Sequence, residues 1–347
     1  MRRTALPVIA LVTLVAACTG NGISPPDPVD VSSPSRSGAG STAVASPSMT
    51  ADVEVFDVGR SPWGVAIGFK SVWVPTADAL VRVDLRTRDV LATVEFPASV
   101  TKGATVRGDP LILNWAATGS EGVWVTVARA RLSVLHIDPA SNEIVDVIDV
   151  GRAPDAPTPL VVGAGGVWVA NPSTSFLTEI DPRTDEIERT IPLRGFAPVR
   201  VSGIAIAAGS VWLMDHNSGT VLRVDPETGK PTDHIQLDTS GRLFASGGTL
   251  WAASAGEDLV QSIDADTGTA EPALETCAGV NNVVSTPARL WIATGTALLC
   301  VIDLETDEQH VIDLPAGGGI VAALGSSAWI SLPTEGQLAR VSLPRSG

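Results

Sequence analysis

An all-β fold made of seven copies of one unit is what this 347-residue sequence predicts. Three observations carry that expectation. Tryptophan supplies 9 aromatic residues against 6 phenylalanines and no tyrosine. Seven of the tryptophans sit in short apolar runs that follow Gly- or Ser-containing turns. They are Trp73, Trp124, Trp168, Trp212, Trp251, Trp291 and Trp329, spaced by 51, 44, 44, 39, 40 and 38 residues. A second marker, a branched aliphatic followed by Asp, comes 11 to 14 residues after each: Val83-Asp84, Ile137-Asp138, Ile180-Asp181, Val224-Asp225, Ile263-Asp264 and Ile302-Asp303, with Val341-Ser342 in the last copy. Two markers in fixed phase through seven copies define a repeat architecture.

Each copy reads as four short strands, A to D. In the first copy residues 64–68 predict strand A, 71–74 strand B, 80–84 strand C and 90–96 strand D. Turn chemistry joins them. Asp225-Pro226-Glu227-Thr228-Gly229-Lys230 places Gly where a tight turn needs positive φ, and Asp264-Ala265-Asp266-Thr267-Gly268 repeats the device. Gly, Pro and β-branched residues interrupt every helical period, so helix is expected to be nearly absent. Four antiparallel strands per copy of roughly 40 residues describe the blade of a β-propeller.

Closure of the ring is predicted from the ends of the repeat region. The last copy stops after its C strand, residues 338–343. The leading segment Val53-Glu54-Val55-Phe56-Asp57-Val58-Gly59-Arg60-Ser61-Pro62 has no blade of its own. It matches Val147-Ile148-Asp149-Val150-Gly151-Arg152-Ala153-Pro154, which ends a D strand. The first strand is therefore expected to complete the seventh blade and remove an open sheet edge.

Ahead of the repeats, residues 1–17 read as an export signal. Arg2 and Arg3 are followed by an apolar run at residues 4–17, too short to span a bilayer as a stable helix. The run ends in Val15-Ala16-Ala17-Cys18, which resembles the bacterial lipobox; the resemblance implies cleavage before Cys18 and acylation of its thiol. Residues 18–50 then form the lipidated Cys and a Ser/Pro/Gly tether that cannot bury enough apolar surface to offset its ordering entropy. Its root-mean-square span is roughly 30 Å. Residues 51–347 form the propeller. The implied address is the extracytoplasmic face of the cell membrane.

The repeat region resembles the seven-bladed propellers of the YVTN and YncE-like group and, more distantly, the streptogramin lyases. The likeness rests on the Trp runs and the Ile-Asp-Pro-x-Thr-Gly-like turns. It is specific for fold, since such blades serve binding, scaffolding and catalysis alike.

Net charge is −15 with only three lysines, which disfavours nucleic acid as a partner and electrostatic docking on anionic lipid. The two charge signs sort by face. The C–D turns are acidic, for example Asp225 and Glu227. The D–A crossings collect Arg60, Arg107, Arg152, Arg194, Arg200 and Arg242, and Arg129 and Arg131 join them from a B–C loop. The D–A crossings and B–C loops share one end of the ring, where propeller pockets are concave. Trp63 and Trp115 lie outside the seven-Trp register near this mouth, and residues 97–110 form the longest crossing. The candidate ligand-binding set is Trp63, Arg107, Trp115, Arg152, Arg200 and His216.

His216 is the one histidine on a B–C loop. The other three, His136, His234 and His310, fall on C and D strands without metal-ligand spacing. The per-blade Trp is read as packing between sheets and the Asp after each C strand as a turn cap. Cys277 and Cys300 are an even pair in an exported chain and form a possible disulfide. No catalytic residue, cofactor or metal site is assigned. The expectation is a membrane-anchored, monomeric binding or scaffold module for an envelope protein or an anionic small ligand. The alternative implied by the more distant resemblance is a streptogramin-lyase-like enzyme, with His216 as base beside a magnesium held by acidic groups.

Overall fold

The computed structural model describes residues 51–101, 114–154, 156, 158–193, 200–237, 241–246, 248–254, 258–277 and 279–344. Cys18, Arg107 and Arg194 lie outside them. The described chain begins with β1 (Asp52–Asp57). Blade 1 holds β2 (Ala66–Gly68), β3 (Ser71–Pro75), β4 (Ala79–Asp84) and β5 (Val90–Glu95). A single helical turn, α1 (Ala98–Thr101), follows. Blade 2 holds β6 (Trp115–Thr118), β7 (Val123–Ala128), β8 (Arg131–Asp138) and β9 (Glu143–Arg152). Blade 3 holds β10 (Leu160–Gly163), β11 (Gly166–Asn171), β12 (Phe176–Ile180) and β13 (Ile187–Pro192). Blade 4 holds β14 (Val201–Ala207), β15 (Ser210–Asp215), β16 (Thr220–Val224) and β17 (Pro231–Gln236). Blade 5 holds β18 (Arg242–Ser246), β19 (Thr249–Ser254), β20 (Leu259–Asp264) and β21 (Leu274–Glu275). Blade 6 holds β22 (Val280–Ser285), β23 (Arg289–Thr294), β24 (Leu298–Asp303) and β25 (Gln309–Asp313). The last strands are β26 (Val321–Leu324), β27 (Ser327–Leu332) and β28 (Gln337–Ser342).

Every sheet is antiparallel and four-stranded, and seven of them make the ring. The first strand of each blade touches the first strand of the next, and β26 returns to β2. This is a seven-bladed β-propeller. The seventh sheet has the order β1-β28-β27-β26, with β1 running against β28 from Asp52 opposite Ser342 to Asp57 opposite Gln337. Strand A of blade 1 is shorter than its apolar run, because Gly64 donates its N–H to the Asn114 carbonyl of blade 2 instead of to its own sheet.

The repeated Trp is the wedge between blades. Trp73 packs with Val123, Val125 and Val127 of blade 2, and Trp124 with Val167 and Val169 of blade 3. The pattern runs round to Trp329, which packs with Val72, Val74 and Val83 of blade 1. Burying a large aromatic removes some 150–250 Å² from water, which makes these wedges the main apolar contribution at each seam.

A guanidinium or imidazole covers several of the wedges. Strand register places Arg82 opposite Trp73, His136 opposite Trp124, Arg223 opposite Trp212 and Arg340 opposite Trp329. The Arg82 guanidinium lies 4.8 Å from the Trp73 ring centroid and those of Arg223 and Arg340 lie 5.2 and 5.7 Å from theirs. Arg82 and His136 also reach the C–D turn of the next blade. Arg82 donates to the Pro139 carbonyl and the Asn142 side chain at 2.6 and 2.8 Å. Arg189, over Trp168, donates to the carbonyls of Pro226 and Glu227.

Those turns have one geometry. The Asp that ends strand C accepts backbone N–H groups two and three residues on, as Asp264 does from Asp266 at 2.9 Å and Thr267 at 2.8 Å. The fourth residue on has positive φ: Arg88, Asn142, Asp185, Gly229, Gly268 and Asp307. Its N–H returns to the Asp carbonyl, at 2.8 Å for Gly229. The acidic repeats are turn caps.

Candidate functional site

The D–A/B–C face is built by the ends of the innermost strands. Blades 4 and 5 approach closely there. A Cβ on Gly203 would meet the Leu243 backbone N at 2.2 Å, so only glycine allows this backbone contact. Ser202 donates its hydroxyl to the Gly241 carbonyl across the same seam. The contact sets β14 and β18 side by side and aims the residues that begin them at the mouth.

A cavity of about 200 Å³ opens at this point. Its lining includes Arg200 and His216 from blade 4, Arg242 and Ala253 from blade 5, and Asn281 from blade 6. Arg200 and His216 are exposed and Arg242 is half-buried. Arg242 donates to the Asn281 carbonyl at 3.4 Å. Its guanidinium also lies 5.6 Å from the ring centroid of Trp63, which precedes strand A of blade 1. Arg242 therefore reaches across the channel from blade 5 to blade 1. Burial lowers its pKa to about 10, which still leaves it cationic at neutral pH.

The candidate residues divide. Arg200, His216 and, through Arg242, Trp63 share this cavity. Trp115 does not join them: it packs between the apolar clusters at the seams of blades 7 and 1 and of blades 2 and 3, and its backbone N–H donates to the Thr126 hydroxyl. Arg152 ends β9 with an exposed side chain outside the cavity lining. Arg242 was legible only as one arginine among several on this face. Its reach across the channel depends on ring closure, which pairs of local residues do not encode.

Three other arginines on the face have partners. Arg60 pairs with Asp78 at 2.8 Å and Arg131 with Asp149 at 2.6 Å. Arg129 donates to the Ala77 carbonyl at 2.8 Å, and burial lowers its pKa. Asp215, next to His216, is buried and accepts from the backbone N–H of Arg200 and Asn217 and from the Ser218 hydroxyl.

This donor set does not fit the magnesium that the streptogramin-lyase resemblance implies. His216 stands among Arg200, Arg242 and Asn281, and its acidic neighbour Asp215 is engaged by three donors. Among the described residues, no group of three His, Cys, Asp or Glu side chains is placed to hold a metal ion.

Cys277 and Cys300 are joined in a disulfide with a Cα–Cα separation of 6.1 Å. It ties the crossing that follows β21 to the C strand of blade 6, on the far side of blade 5 from Arg200.

No protein-family model matches the chain, and no curated protein matches it. Solved structures do. The Pan2 WD40 domain of Neurospora crassa aligns with TM-score 0.65 and 12% identity, covering 87% of this chain and 99% of that one. BamB from Moraxella catarrhalis aligns with TM-score 0.54 and 13% identity, covering 81% and 84%. At these identities the likeness establishes the fold alone, and function must be argued from the site.

Proposed function

We propose that this chain is an exported lipoprotein whose propeller binds an envelope protein or an anionic ligand at the D–A/B–C mouth. One observation carries the reading: Arg200, His216 and Arg242 gather round one cavity, and Trp63 backs Arg242. Guanidinium and indole groups concentrate binding energy when they anchor a contact, at about 1–4 kcal/mol each on truncation. A cationic mouth on a chain of net charge −15 also focuses an anion locally. The export signal at residues 1–17, acylation of Cys18 and the tether to residue 50 hold this mouth at the outer face of the cell membrane.

Two measurements test the proposal. Cys18→Ala should release the chain from the detergent phase or leave the precursor uncleaved; unchanged partitioning refutes the anchor. Capture from membranes with the full chain should weaken in Trp63→Ala, Arg200→Gln and His216→Ala, while a substitution on an outer strand leaves it intact. Equal capture by all variants refutes the mouth. Turnover of a cyclic depsipeptide lactone that disappears in folded His216→Ala would replace the binding reading with the enzymatic one.

A further inference from the structure

We infer that the mouth cavity is a carboxylate site, in which the forked guanidinium of Arg242, helped by Arg200, holds a carboxylate whose flat or aliphatic body rests in the cavity near Trp63. The inference deepens the binding reading above and rests on it.

Arg242 brings a charge to the cavity that no carboxylate among the described residues balances. Arg60, Arg88, Arg131, Arg183, Arg189 and Arg340 have a carboxylate within 3.4 Å, whereas the half-buried Arg82, Arg129, Arg223 and Arg289 have none among the described residues; Arg242 differs from those four in lining the mouth cavity. Among the described residues none lies within ion-pair distance of Arg242, although it is half-buried. Among the described residues it makes one long bond to a carbonyl and faces the ring of Trp63. A guanidinium carries five N–H donors, so most of the fork is left for an occupant. A cation withdrawn from water without a counter-charge is costly, and a bound anion removes that cost. The indole Nε1 of Trp63 is a second buried donor that lacks an acceptor among the described residues.

The size and lining of the cavity suit a small acid. A cavity of about 200 Å³ holds roughly seven waters, the volume of a small organic acid or one terminal residue. Val201 and Ala253 give it apolar wall, which suits a body attached to the anionic group.

The backbone of the mouth favours a carboxylate over a phosphate. Phosphate sites commonly add a nest of free backbone N–H groups to their guanidinium contacts. Here the N–H of Arg200 is donated to Asp215 and that of His216 to the Arg200 carbonyl. A planar fork meeting a planar carboxylate needs neither.

Calorimetry on the full chain tests the site with four probes: benzoate, inorganic phosphate, and a short peptide ending in phenylalanine with a free or an amidated C-terminus. Benzoate or the free-acid peptide should bind at millimolar concentration or tighter; phosphate and the amide should not. Tighter binding of the peptide than of benzoate assigns the source to a polypeptide terminus, and the reverse assigns it to a free acid. Arg242→Gln should weaken the bound probe at least tenfold and Arg200→Gln about threefold. Should Arg242→Gln fail to fold, Arg242→Lys keeps the cation, loses the fork and should still weaken binding. No binding by wild type, equal binding of phosphate, or indifference to Arg242 and Arg200 overturns the inference. Partner capture that depends on the mouth, with no carboxylate bound, overturns it while leaving the binding module standing. Carboxylate binding with capture indifferent to the mouth supports it and removes the partner reading instead.

Discussion

His136 stacks flat on Trp124, with ring centroids 4.4 Å apart and planes 8° from parallel. Its Nδ1 also meets the Asp185 carboxylate of blade 3 at 2.9 Å. His136 thus occupies in blade 2 the place that Arg82 takes in blade 1. Each covers its own wedge and holds the C–D turn of the following blade. The ring is closed by the same device, since Glu54 of β1 pairs with Arg340 at 2.8 Å and with Arg88 of the first C–D turn at 2.9 Å.

His136→Ala should therefore cost about 1–3 kcal/mol, because it removes the stack and leaves Asp185 without its partner. The side chain is buried, so the loss is not screened by water. Urea unfolding measures it, and an unchanged midpoint would show that the seam between blades 2 and 3 is held by apolar packing alone.

Deletion of residues 51–60 should lower stability by more than about 3 kcal/mol. It removes the six-residue pairing with β28, the Phe56–Trp329 contact at 5.9 Å and the Glu54 pairs. A truncated chain that melts with the full-length protein would refute closure by β1.

Stability should fall in acid for a reason common to six turns. Backbone N–H groups donated to Asp84, Asp138, Asp181, Asp225, Asp264 and Asp303 hold each carboxyl below its ordinary value of 3.8. A depressed carboxylate contributes stability that is present above its unfolded value and lost as the pH falls through its folded one. The denaturation midpoint should thus be level from neutral pH to about pH 5 and decline below it. Asp264→Asn should flatten part of that decline; a profile identical to wild type would remove the turn carboxylates as its cause.

The positive-φ turn position separates strain from packing. Asp307 has φ 58° where blades 4 and 5 carry Gly229 and Gly268. Asp307→Gly should stabilise by about 0.5–1 kcal/mol, since a non-glycine residue there is strained. Gly229→Ala should do the opposite, because its Cβ would also meet Ile191 Cδ1 at 2.9 Å. Thermal melting of both variants checks the pair, and shifts of the same sign would refute the argument.

What the sequence by itself determined is what repeats at short range. Trp73 to Trp329 mark the B strands, the aliphatic-Asp pairs mark the ends of the C strands, and Gly229 and Gly268 mark the turns. Each depends on neighbours within one hairpin, and their phase yields blade number. The acidic turn residues were readable as caps for the same reason.

Only the tertiary structure decided what happens between blades. That Arg82 and His136 cover the wedges follows from cross-strand register, and their grip on the next turn follows from the seam. Trp115 and Arg152 looked equivalent to Trp63 and Arg200 along the chain. The ring packs Trp115, half-buried, against two apolar clusters and leaves Arg152 outside the cavity, while it carries Arg242 across to Trp63. Residues some 180 positions apart meet there because the first and fifth blades face one channel, a distance that no local pattern records.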